Sequence, residues 1–181
     1  GHRIRVGLAT QHWPIVWPQP RLVTLSLASG RSTITLPIRP PSKHDAGVRF
    51  EPAEVAPPVP ATELHPGRHS RVHTVDFVTG VHRIVLTSDG GTTRIDDRGI
   101  ETSSRTEDTF EIHPDDPLSA RLVSKYRWAI RSGEADTAAD SRTELTATAT
   151  HFLLTWRVDS YERGAIVGSN AGSLQIPRDF C

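Results

Sequence analysis

The sequence predicts an all-β fold centred on an antiparallel meander, and three observations carry that expectation. Apolar residues recur at every second position over long stretches, and Gly-containing turns separate these runs. No window of a dozen residues sustains a 3.6-residue period with a cap at each end. At 181 residues the chain can bury a core as one domain or as two small ones. Only 36% of residues are hydrophobic and 6% aromatic, so the apolar positions must be spent on one face of each sheet.

Taken in chain order, the first alternating runs are Ile4 to Thr10, Leu22 to Leu27 and Ser32 to Ile38. Three short strands are too few to bury both faces of a sheet, so they are expected to be the terminal strands of a sandwich whose other strands lie upstream. The chain then reads as part of a longer protein. Unpaired edges of this kind should pair with a second copy or fold back on the chain's own C-terminal sheet. Eight of the 14 prolines fall from Pro37 to Pro66, a composition that cannot donate regular ladder hydrogen bonds. The expected division is therefore terminal strands over 1–40, a Pro-rich linker over 41–66 and a C-terminal β extension over 67–181.

In that extension Val72 to Val78 and Val81 to Thr87 read as a hairpin around Thr79-Gly80, with a turn at Asp89-Gly90-Gly91. Short strands flank Asp96-Asp97-Arg98-Gly99. After Pro117, residues Ala120, Leu122, Ser124, Tyr126, Trp128 and Ile130 share one face, against Arg121, Lys125, Arg127 and Arg131 on the other. Thr143 to Thr150 alternates Leu145, Ala147 and Ala149 with threonines, and Phe152, Leu154, Trp156 and Val158 alternate with polar residues. Turns are expected at Ser132-Gly133, near Thr150-His151 and at Arg163-Gly164. Ala135 to Leu145 is the best helix candidate, although its Asp and Thr content argues against one.

Lys and Arg together number 21 and so do Asp and Glu, so no positive surplus points to nucleic acid or an anionic membrane. No apolar run approaches the ~20 residues of a membrane helix. The single cysteine, Cys181, has no partner for an internal disulfide, which makes a cytoplasmic setting the default expectation.

Several segments resemble a known family. His2-Arg3-Ile4-Arg5-Val6, Trp13-Pro14-Ile15-Val16-Trp17-Pro18 with Pro20, and Leu36-Pro37-Ile38-Arg39 are similar to the terminal portion of the CocE/NonD family of cocaine esterases, X-prolyl dipeptidyl aminopeptidases and related acyl hydrolases. Asp115-Asp116-Pro117-Leu118-Ser119-Ala120, Ala149-Thr150-His151-Phe152 and Ile176-Pro177-Arg178-Asp179 resemble its long-tailed subgroup. The resemblance implies a Ser-His-Asp triad on an N-terminal α/β-hydrolase domain of the same parent, followed by a β jelly roll. This chain would hold the last jelly-roll strands and a C-terminal β extension, with that hydrolase domain as its partner and a homodimer as a further partnership. Gly168-Ser169-Asn170-Ala171-Gly172 departs from the charged or aromatic strand expected at that place.

The chemistry legible in the residues is sparse. A serine nucleophile needs a Gly-x-Ser-x-Gly turn, and Gly168 to Gly172 puts its Ser in the second place, so a flexible turn is the expected reading and no catalytic residue is assigned. His65, His69 and His73 are spaced by four, with His82 following. Pro66-Gly67 breaks any helix there, and on a strand residues four apart lie ~13 Å from one another, so no metal site and no cofactor are assigned. The pairs Asp96-Asp97, Glu107-Asp108 and Asp115-Asp116 each suit turn capping. Trp13 and Trp17, stiffened by Pro14 and Pro18, are the candidate surface, either packing between domains or presenting a platform for a sugar or peptide. The two functions in view are a non-catalytic module of a serine hydrolase and a free-standing carbohydrate- or peptide-binding module.

Overall fold

The computed structural model describes residues 2–179. Eight strands follow one another: β1 (Ala61–His65), β2 (Arg68–Val75), β3 (His82–Ile95), β4 (Ile100–His113), β5 (Asp116–Ser132), β6 (Ala135–Ala147), β7 (His151–Glu162) and β8 (Ala165–Pro177). All belong to one antiparallel sheet in which each strand from β3 to β8 pairs with the next. The expected all-β meander is thus present.

β1 and β2 share the outer edge of β3 end to end. β1 lies opposite Thr92 to Ile95, and β2 lies opposite His82 to Asp89. Together they behave as one long strand interrupted at Pro66-Gly67, where proline lacks the N–H a ladder requires. The interruption is matched across the ladder, because β3 bulges between Asp89 and Thr92. Gly91 sits there at φ +69, and a Cβ on it would overlap the His65 carbonyl. The expected turn at Asp89-Gly90-Gly91 is therefore a bulge within a continuing strand.

The remaining connections are tight. Asp76 Oδ1 accepts from the backbone N–H of Val78 at 2.8 Å, and Gly80 N–H donates to the Asp76 carbonyl at 2.7 Å, closing the β2–β3 turn. Thr148 Oγ1 accepts from the backbone N–H of His151 at 3.0 Å between β6 and β7. Arg163 and Gly164 both adopt positive φ, +49 and +77, the pattern of a two-residue turn whose twist suits a hairpin.

Residues paired across an antiparallel ladder point to the same face, so the registers assign two faces. One row runs through Ile84, Phe110, Leu122, Leu145, Leu154 and Leu174, from β3 to β8. Asp89, Arg105, Arg127, Asp140, Asp159 and Ser169 form a row on the opposite face. The sheet is apolar on one side and charged on the other, as the alternation after Pro117 and along Phe152 to Val158 requires.

One weak helix candidate resolves as strand and two expectations change. Ala135 to Leu145 is strand, not helix: Asp136 and Asp140 stand directly opposite Arg131 and Arg127 of β5, and that cross-strand charge pairing settles the segment as a ladder. Gly168 to Gly172 lies inside β8 rather than in a flexible turn, since it pairs residue by residue with β7. No strand forms among described residues 2–60, so the runs Ile4 to Thr10, Leu22 to Leu27 and Ser32 to Ile38 have no ladder partner, and no second sheet stands against the eight-stranded one. Period-two alternation supplies a strand's faces, but a strand also needs a neighbour to take its hydrogen bonds. Strand β1 begins inside the expected linker, whose other regular element is a short 3-10 turn, Lys43–Gly47, capped by Ser42.

Candidate functional site

The small core shows where the molecule is organised. Buried apolar residues are Ile112, Ala120, Val123 and Ala147, with Ala120 only 1% exposed, and Pro18 is fully buried. Ala120 and Ala147 flank the apolar row of Leu122 and Leu145, near the β4–β5 and β6–β7 turns. That end of the apolar face is covered by the segment from Trp13 to Pro18.

The segment is seated by its rings. Trp13 meets Trp17 edge to face at 5.0 Å between centroids, Trp13 meets Phe110 at 5.9 Å, and Trp17 meets Phe152 at 5.9 Å. Each such pair contributes about 0.5–1.5 kcal/mol beyond the area it buries. The Trp13-Pro14 peptide is cis, and the backbone N–H of Val16 closes a local turn onto the His12 carbonyl at 2.9 Å.

Arg178, directly after β8, completes the seat. Its guanidinium lies 4.9 Å above the Phe152 ring, donates from Nη2 to the Pro18 carbonyl at 2.7 Å and from Nη1 to the Thr148 carbonyl at 3.1 Å. Its own backbone N–H donates to the Thr150 carbonyl at 2.9 Å. One buried cation thus ties the Trp-Pro segment, the β6–β7 turn and the end of β8 together. Proline supplies the acceptor here without bringing an N–H of its own. Sequence reasoning singled out Trp13 and Trp17 but not Arg178; the signal was the Ile176-Pro177-Arg178-Asp179 segment, where an Arg follows a proline that ends a strand.

The other expected candidates are scattered. His73 Nε2 stands 3.3 Å from His82 Nδ1, and His69 Nδ1 stands 3.0 Å from Ser88 Oγ, both across the β2–β3 ladder. His65 lies on β1, and among the described residues no group of three or more His, Cys, Asp or Glu gathers as metal ligands would. The Ser88 and His69 pair sits on flat strand, without the strand-to-helix elbow that would present a nucleophile to an oxyanion hole. Ser169 Oγ donates to Asp159 Oδ1, a cross-strand pair between β7 and β8. Asp96 accepts from Thr62 Oγ1 at 3.1 Å, Asp108 accepts from Ser124 Oγ at 2.6 Å, and Asp116 accepts from the Leu118 N–H at 3.0 Å, so these carboxylates brace strands and turns. Cys181 lies outside the described residues.

The charged face carries a groove of about 410 Å³ over β4 to β7, lined by Arg105, Lys125, Arg127, Arg142 and Arg157 with Glu107, Asp140 and Asp159. Its ions are already matched. Lys125 reaches Glu107 at 2.9 Å, Arg127 reaches Asp140 at 2.8 Å, and Arg157 reaches Asp159 at 2.7 Å. The Lys125 hydrogen bond holds the Glu107 carboxyl below its ordinary range, and the hydrogen bonds of Arg157 and Ser169 do the same for Asp159. Carboxylates held ionised by neighbouring cations in an open groove are not poised to act as an acid or base.

No helix among the described residues is long and apolar enough to cross a membrane. Compared with protein-family models, curated proteins and solved structures, the chain matches none.

Proposed function

We propose that this chain is the non-catalytic C-terminal β module of a CocE/NonD-like serine hydrolase, whose parent cleaves ester, amide or X-prolyl bonds through residues outside this sequence. One observation carries the reading. Three segments that resemble the family, Trp13 to Pro18, Ala149 to Phe152 and Ile176 to Asp179, lie far apart in sequence and meet at Arg178. The work of the module is to hold the Trp-Pro segment on a rigid sheet, buttress the hydrolase domain and shape one wall of its cleft. A cytoplasmic setting belongs to the same proposal.

The test treats the isolated chain and the intact parent with a fluorophosphonate and an ester substrate. Labelling and turnover confined to the parent are expected, with a Gly-x-Ser-x-Gly segment encoded upstream of His2. Stoichiometric labelling of a serine in the isolated chain would overturn the reading. In the parent, Trp13→Ala with Trp17→Ala should lower thermal stability while the serine still labels.

A second reading, a carbohydrate- or peptide-binding module, is favoured by Tyr126 and Trp128, each 40% exposed on the uncovered half of the apolar face. Trp13 and Trp17 serve it less well, because their rings turn onto Phe110 and Phe152. Glycan or peptide binding lost in Trp128→Ala but kept in Trp13→Ala would favour this second reading over the first.

A further inference from the structure

A sheet of eight strands has two edges, and here they are built differently. The edge formed by β1 and β2 is broken at Pro66-Gly67 and carries Glu63, Arg68 and Arg71 with three histidines, the devices that keep an edge from pairing. The edge formed by β8 has one such device, a bulge at Val167 near its start, and from Gly168 onward it runs in regular register with β7. From Ala165 to Gln175 it holds no charged side chain and no proline, in a chain where 23% of residues are charged. Its residues are exposed almost throughout, Val167 at 62% and Leu174 at 51% among them.

This edge is also firmly held from behind. The Trp156 ring lies over Gly172 and donates from Nε1 to Asn170 Oδ1 at 3.3 Å, while Ser169 is tied to Asp159. From Gly168 to Gln175 an uncharged strand in regular register, braced on one side, offers its other side as a template for a further strand.

We propose that β8 is a dimerisation strand, whose free edge pairs antiparallel with β8 of a second copy about a two-fold axis through Ala171. The sequence around Ala171 is self-complementary. With Ala171 on the axis, Gly168 faces Leu174, Ser169 faces Ser173 and Asn170 faces Gly172, all within the part of β8 that keeps regular register with β7. Larger side chains meet glycine and hydroxyls meet hydroxyls. Shifting the axis to Gly172 would set Asn170 against Leu174 and Gly168 against Ile176, leaving an amide beside an apolar side chain. Pairing β8 with the β1 and β2 edge would instead build open filaments and set an uncharged strand against a charged, interrupted one, whereas the β8 pair closes on itself. Because antiparallel partners share faces, the two apolar faces would join on one side of a continuous sheet.

Light scattering on the full chain at tens of micromolar should give the mass of a dimer. Ala171→Glu sets two carboxylates against each other on the axis while facing Arg157 across the β7–β8 ladder, so the variant should fold normally by circular dichroism. Its association should weaken by at least about tenfold. In a Cys181→Ser background, Ala171→Cys should form an intermolecular disulfide under mild oxidation, because directly opposed residues stand about 4.5–5.5 Å apart. Ser70→Cys, on the opposite edge, should cross-link far more slowly. A monomeric chain, a dimer indifferent to Ala171→Glu, or equal cross-linking at the two cysteines would each overturn the proposal.

Discussion

The Arg178 guanidinium donates to the Pro18 carbonyl across 160 residues of chain, at 2.7 Å, while resting on the Phe152 ring. Both the carbonyl and the charge are removed from water there, so the hydrogen bond has no solvent competitor. The Nε of the same side chain and the Trp17 Nε1 are buried without a partner, so the seat depends on the bonds Arg178 does make.

Arg178→Lys keeps the charge but not the planar fork that reaches two carbonyls and stacks on an aromatic ring. We expect a loss of about 1.5–3 kcal/mol, the range for hydrogen bonds to charged groups. The near-ultraviolet circular dichroism of Trp13 and Trp17 should diminish with little change in the strand signal. Equal loss of both signals would mean that Arg178 supports the whole sheet rather than the docked segment.

Gly172 is the second position with a sharp expectation. A Cβ there would lie 2.8 Å from Trp156 Cη2 and closer still to Cζ2, so the indole must leave its place over β8. Alanine ordinarily stabilises a strand relative to glycine. Here the displaced ring, with its lost bond to Asn170, outweighs that gain, and Gly172→Ala should cost roughly 1–2 kcal/mol. Urea unfolding followed by Trp fluorescence measures it. An unchanged or raised midpoint would show that Trp156 moves aside freely.

Much of the fold was legible because period two is a direct consequence of strand geometry. Ala120 to Ile130 and Phe152 to Val158 show their faces in sequence, and Thr79-Gly80 and Arg163-Gly164 mark their turns. What was not legible depends on neighbours. Ala135 to Leu145 lacks apolar alternation, since its small residues and aspartates are explained only by β5 and β7 on either side. Gly91 reads as a turn until Pro66-Gly67 is seen opposite it. The seat of the Trp-Pro segment was half legible: the indoles declared themselves, whereas Arg178 acquires its role only when Pro18, Thr148 and Phe152 are brought to it.

Arg163 occupies the first position of the β7–β8 turn at φ +49, where a Cβ-bearing side chain is disfavoured. Its ion pair with Glu134, at 3.9 Å, joins two exposed side chains and adds little. Asparagine tolerates the left-handed region and, before Gly164, gives the sequence that two-residue hairpins favour. Arg163→Asn should therefore stabilise the chain by about 0.5–1 kcal/mol in a thermal unfolding experiment. A drop in midpoint would mean that the Glu134 contact outweighs the backbone gain.

The charged face sets the response to acid. Arg121 donates from Nε to Glu144 at 2.8 Å and from Nη1 to Glu111 at 2.9 Å, linking β4, β5 and β6. The Arg121 hydrogen bond holds the Glu144 carboxyl below its ordinary range; partial desolvation opposes this, and Arg142 adds to it. A carboxyl whose folded pKa lies below its unfolded value contributes stability that is fully present above the unfolded value, near ~4.3 for Glu. That contribution is lost as pH falls through the depressed folded value. Glu144→Gln keeps the shape and an acceptor oxygen but removes the charge, so it should cost about 1 kcal/mol at pH 7 and progressively less below about pH 4. Urea midpoints of the two proteins should accordingly converge on acidification. A gap that stays constant from pH 7 to pH 3 would show that Glu144 acts through packing and not through its charge.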